Sequence, residues 1–118
     1  MDSKTNIQEL KEKVKNFCEK RDWDQFHSAK DLATALIIEA AELLEPFRWK
    51  SEEQEKELLK NRKQEIEEEA ADVFYFLLRL AQMYDIDLSE ALTKKMEKND
   101  KKYPVEKFKG SNKKYNEI

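Results

Sequence analysis

The sequence predicts an all-α fold, a four-helix bundle assembled into a homo-oligomer, and three observations carry that reading. One glycine and two prolines in 118 residues leave few breaks for long helices. Four helical segments joined by short connections suit a bundle. One of the four, ending at Leu44, is apolar almost all round, more than the outer helix of a monomeric bundle needs. Its surplus face calls for a second subunit.

The first segment runs from about Asn6 to Arg21, with Ile7, Leu10, Val14, Phe17 and Cys18 at intervals of three and four on one stripe. Asp22 to His27 is an aromatic, charged connector holding Trp23, Phe26 and His27. Ser28 suits a helix N-cap, with Asp31 three residues on. The second helix extends from there to about Leu44, where Pro46 stops it. Phe47-Arg48-Trp49 is a second aromatic connector. Ser51 to Asn61 is very polar and reads as a short exposed helix or a loop. A third helix covers about Arg62 to Tyr84, polar in its first half and apolar in its second. Asp85 to Asp87 turns the chain into a fourth helix, Leu88 to Asp100. Residues 1–104 read as a single domain, and 105–118 as a Lys-rich, poorly ordered tail.

Composition narrows the function. Charged residues make up 42%, against roughly 25% in average soluble domains. The 39% hydrophobic share includes Phe, Tyr and Trp, which sets the chain apart from disordered sequences. The 23 basic and 26 acidic groups nearly cancel, to a net charge of −3, whereas nucleic-acid binders are normally clearly basic. A lone Cys18 excludes an intrachain disulfide and fits a reducing compartment. With no apolar leader and no stretch near about 18 apolar residues, a cytoplasmic protein is expected, neither secreted nor membrane-spanning.

Two carboxylate pairs stand out. From Leu32 to Leu44 the only charged side chains are Glu39 and Glu42. At about 100° per residue Glu39 falls between the directions of Ala35 and Leu43, inside the apolar arc. Glu42 lies about 60° away, so both can face one site. The third helix repeats the spacing with Glu69 and Asp72, just before the apolar run from Val73 to Leu78. Taken alone, that second pair reads rather as part of a solvated acidic run, because Asp72 shares its face with Glu65, Glu68 and Arg79. If the two helices face each other, four carboxylates converge, and a cluster of that kind is costly inside a bundle unless protonated or neutralised by a cation. An all-oxygen set with no accompanying His or Cys suits magnesium or manganese better than zinc.

ExxE at Glu39–Glu42 followed by ExxD at Glu69–Asp72 resembles the signature of the all-α nucleoside triphosphate pyrophosphohydrolases of the MazG-like group. Arg21-Asp22-Trp23-Asp24-Gln25-Phe26-His27, Phe47-Arg48-Trp49-Lys50 and the stretch from Lys95-Met96 through Asn99 to Tyr103-Pro104 resemble the dCTP pyrophosphatase branch in particular. The resemblance covers about Leu10 to Pro104. It implies a homo-oligomer, usually a tetramer built as a dimer of dimers. It also implies magnesium-dependent hydrolysis at the α-phosphorus of a (deoxy)nucleoside triphosphate, with release of pyrophosphate. Glu39, Glu42, Glu69 and Asp72 match the metal ligands. One of these four, in the first place Glu39 or Glu42, or else the neighbouring Glu45, would orient and deprotonate the attacking water. Lys95, Asn99 and Tyr103 match positions near triphosphate and sugar, and Trp23, His27 and Trp49 the base-binding end. The chain departs from the pattern at Ile38, where many members carry another Glu. It departs again at Val14, where mammalian dCTP-preferring members carry His.

Other residues have plainer readings. Trp23 and Trp49 sit in polar connectors, where they serve either as stacking platforms for a base or as staples onto the core or a subunit interface. Phe74, Phe76, Leu77 and Leu80 read as core, as does Cys18. Lys94 and Lys98 form an exposed ridge. Two further functions are compatible with the sequence: the same reaction on dUTP or a broad set of triphosphates, and a non-catalytic nucleotide-sensing or interaction module.

Overall fold

The computed structural model describes residues 1–117, and they are all-α: six α-helices and three short 3-10 turns, with no strand among the described residues. The helices are α1 (Ile7–Glu19), α2 (Ala29–Leu44), α3 (Glu52–Asn61), α4 (Lys63–Met83), α5 (Leu88–Lys102) and α6 (Val105–Phe108). The four expected helices are all present, the stretch after Ser51 takes its helical alternative as α3, and α6 is additional. Among the described residues, no helix is long and apolar enough to cross a membrane.

Local chemistry explains most helix boundaries. Asn6, Ser28 and Asp87 each cap their helix by accepting from the backbone N–H three residues on, at 2.9, 3.2 and 2.9 Å, satisfying one of the free donors of the first turn. Pro46 lies in a 3-10 turn, Glu45–Phe47, that closes α2. The polar stretch after Ser51 forms helix α3. Ser51 and Gln54 make a reciprocal capping box, each side chain bonded to the other's backbone N–H. Arg62 alone separates α3 from α4.

Two compact units divide the chain. In the first, Met1–Asp85, α4 is the central element, packed against α2, α1 and α3. Leu32, Leu58, Leu78, Ala81 and Cys18 form its buried apolar centre. Much apolar surface is left over: on α2, Ile37, Ile38 and Leu44 are 53–68% exposed. Phe74 and Leu77, expected in the core, are also partly exposed on α4, because the inner stripe of that helix runs through Leu78 and Ala81.

The second unit begins at Ile86 and contains α5 and α6. Here the ring of Tyr103 meets those of Phe108 and Tyr115 edge-on, at 4.9 and 6.2 Å, so aromatic contacts tie the Lys-rich segment to the end of α5. Ile118, the last residue of the expected tail, lies outside the described residues.

Candidate active site

Packing α2 along α4 brings three of the four expected carboxylates into one cluster, with Glu42 a neighbour outside it. Carboxylate oxygens of Glu39, Glu69 and Asp72 all lie within 4.8 Å of one another. Glu39 and Glu69 are half-buried, and Asp72 is more open. The arrangement follows from the i, i+3 spacing: on each helix, residues three apart share a face, and the two faces meet.

Electrostatics bear the marks of this crowding. Glu39 holds its proton above the ordinary value of 4.5, through burial first and then the negative neighbours Glu42, Asp72 and Glu69. Glu69 shifts the same way, through burial, then Glu42, Asp72 and Glu68. Glu42 itself is exposed. Oε2 of Glu39 and Oε2 of Glu69 are buried without a hydrogen-bond partner among the described residues. Buried polar atoms are normally satisfied, so two orphaned carboxylate oxygens beside a third carboxylate suit a bound cation. An all-oxygen set at this spacing can hold a hard divalent metal.

A cavity of about 520 Å3 opens beside the cluster, within the range of small-molecule sites. Glu39 and Asp72 contribute its acidic lining, and Phe17, Trp23, Tyr75 and Phe76 its aromatic lining, with Val14 and Lys13 from α1. Phe76, expected in the core, therefore lines a cavity instead. An apolar helical stripe looks the same in sequence whether it faces side chains or a hollow. Lys13, Phe17 and Tyr75 are likewise wall residues that periodicity alone reads as stripe or surface.

The connector bearing Trp23 is firmly held. Asp22 takes a left-handed backbone (φ 55°), tolerable for Asp, and the backbone N–H of Trp23 donates to the carbonyl of Cys18 at 3.1 Å. The ring of Trp23 meets those of Phe17 and His27 edge-on, at 5.7 and 6.3 Å. Nδ1 of His27 accepts from Nε of Arg79 at 2.9 Å. Burial, followed by the Arg79 charge, holds His27 below its ordinary 6.5, opposed by Asp24. His27 is thus a neutral ring joined to α4 and is not part of the cavity lining.

The other sequence candidates are placed differently. Trp49 is 88% exposed, lies outside the cavity lining and has a left-handed backbone (φ 62°), at a cost of roughly 1–2 kcal/mol for a residue with a side chain. The Arg48 guanidinium lies over its ring at 5.4 Å. Glu45 is exposed and pairs with Arg48 at 3.7 Å. Lys95 is an exposed residue of α5, while Asn99 and Tyr103 line a groove with Leu92, Thr93 and Met96 in the second unit.

Comparison with known proteins places the chain among relatives. Residues 34–118 match the MazG-like family. The chain is 32% identical over 118 residues to dCTP pyrophosphatase 1 of Bos taurus, covering 98% of this chain and 70% of that one. It is 34% identical over 114 residues to dCTP pyrophosphatase 1 of Mus musculus, covering 95% and 67%. The crystal structure of a pyrophosphatase from Archaeoglobus fulgidus superposes with a TM-score of 0.80 at 45% identity, covering 83% of this chain and 92% of that one.

Proposed function

The chain belongs to the MazG-like family, and from that premise we propose that it hydrolyses a (deoxy)nucleoside triphosphate, foremost dCTP or a modified dCTP, to the monophosphate and pyrophosphate. The observation that supports this best is the meeting of Glu39, Glu69 and Asp72 beside a cavity with an aromatic wall. A carboxylate cluster suits a cation and the phosphates it would carry, and an aromatic wall suits a base.

Glu39, Glu42, Glu69 and Asp72 would hold magnesium, with manganese as a substitute. Bound there, the metal neutralises phosphate charge and acidifies the attacking water. Glu39 and Glu42 orient that water toward the α-phosphorus. Its oxygen forms the new bond to phosphorus, the α–β anhydride bond breaks, and pyrophosphate leaves. The proton passes to a carboxylate of the cluster acting as general base. Glu45 is less suited to that role, being paired with Arg48. Trp23 stacks on the base and His27 supports it. By motif match, Trp49 also serves the base, and Lys95, Asn99 and Tyr103 serve the triphosphate and sugar.

The exposed apolar face of α2 supports a homo-oligomer, a tetramer by resemblance, acting on the cytoplasmic nucleotide pool. Val14 on the cavity wall offers no hydrogen bond to a base, which favours a second reading of the same reaction on dUTP or a broad set of triphosphates. A panel of dCTP, dUTP and purine triphosphates with magnesium tests both, read as pyrophosphate release. Release of inorganic phosphate instead would move the attack away from the α-phosphorus. Nucleotide binding with no metal-stimulated hydrolysis would leave a non-catalytic sensing module.

A further inference from the structure

Arg79 has no exposed surface, and a guanidinium at that depth needs partners for its charge and donors. Its Nε donates to Nδ1 of His27 at 2.9 Å. One terminal nitrogen is ion-paired with Asp24, and the other donates to Oε1 of Gln82. Asp24 and His27 are the ends of the short segment that follows Trp23 directly. The carbonyl of His27 also accepts from the Tyr84 hydroxyl at 3.1 Å, so both ends of this segment are fastened to α4 or the residue that caps it.

Buried ionic networks are no more stabilising than well-packed apolar side chains of similar size, but they accept only one geometry. The rigid fork of Arg79 reaches two residues of one connector, and that connector carries the tryptophan of the cavity wall. With Nδ1 accepting, the neutral His27 ring carries its proton on Nε2, and this fixed ring is the surface that Trp23 meets edge-on. Arg79 itself does not line the cavity.

We infer that Arg79 is a positioning residue: by clamping Asp24 and His27 to α4 it holds Trp23 against the cavity, and so governs how tightly the base is held and not the rate of bond cleavage. The role in base binding rests on the function proposed above, whereas the clamp on Trp23 does not.

The test uses Arg79→Met, which keeps the bulk without the donors, and Arg79→Lys, which keeps the charge without the fork. Both are made in the full chain, with folding checked by circular dichroism. In a Trp49→Phe background, tryptophan emission reports Trp23 alone. In either variant it is expected to shift to the red and become more accessible to acrylamide, with Arg79→Lys intermediate. With the triphosphate that the unmutated enzyme hydrolyses best, KM should rise about tenfold in Arg79→Met, equivalent to one decade of binding, while kcat stays within about twofold. A folded variant with unchanged Trp23 emission overturns the clamp. A fall in kcat at unchanged KM overturns the base-binding role, placing Arg79's influence on the reacting centre. If the unmutated protein hydrolyses no triphosphate, the proposed function fails while the emission still decides the clamp. If Arg79→Met does not fold, Arg79→Lys decides by the same readings.

Discussion

The Cys18 thiol lies 3.1 Å from the phenolic oxygen of Tyr75, bonding α1 to α4 immediately behind the cavity. Cys18 is fully buried, and Tyr75 lines the cavity. Burial, then the hydrogen bond with Cys18, raises the Tyr75 phenol above its ordinary value of 10. Cys18→Ala removes the sulfur and leaves the phenol without that partner, so a loss of about 1–3 kcal/mol is expected, read by urea denaturation. In the unmutated protein, the thiol should react with a thiol reagent only as fast as the fold opens. Rapid modification of folded protein would show that Cys18 is not sealed in.

The acidic cluster should make stability depend on pH in a particular direction. Glu39 and Glu69 bind protons more tightly when folded than the ordinary 4.5. Below 4.5 both states are protonated and nothing is lost. As pH rises from there through the raised folded values, the unfolded chain releases its protons first and the folded state loses stability. Metal-free Glu39→Gln should therefore melt higher than the unmutated protein at pH 7.5, with the gap closing near pH 4. Magnesium should raise the melting temperature of the unmutated protein at pH 7.5, and Glu39→Gln should lose most of that rise. Equal magnesium stabilisation of both proteins would remove Glu39 from the metal site.

Trp23 offers a direct measure of base stacking. Stacking a base on an aromatic side chain contributes roughly 1–3 kcal/mol, so Trp23→Ala should raise KM by about tenfold or more, and Trp23→Phe by less. Thermal melts should separate this from unfolding, since Trp23 is only partly buried. An unchanged KM in the folded alanine variant would place the base elsewhere.

Assembly is open to the same kind of test. Ile37, Ile38 and Leu44 leave a broad apolar surface on α2, and apolar surface on this scale typically marks an interaction site. Light scattering coupled to size exclusion should find a tetramer. Ile37→Glu combined with Leu44→Lys should reduce it to smaller species that keep their helical signal. A monomeric unmutated protein would leave that face unexplained by self-association.

What the sequence disclosed, and what it withheld, follows from the range of the interactions involved. The limits of α2 could be read from Ser28 and Pro46, because capping and proline geometry act within a turn. Glu39 stood out because it interrupts an apolar arc. The state of α3 stayed ambiguous for want of apolar periodicity, although the Ser51–Gln54 capping box was a local signal in plain view. Arg79 misled most. It shares a helical face with Asp72 and so resembles a solvated residue, yet it is buried because Asp24 and His27, more than 50 positions away, fold over it. No periodicity along one helix can announce such a partner.

An unbroken α4 of 21 residues carries Asp72 at the acidic end of the cavity and, seven residues on, the guanidinium that anchors the tryptophan-bearing connector. At about 1.5 Å per residue, their spacing along the axis is about 10 Å, set by helix geometry and indifferent to the length of any loop. The helix therefore works as a ruler between the two ends of the pocket. Adding a single residue between those marks would turn one end by about 100° relative to the other, putting the acidic group and the aromatic wall out of alignment without touching either.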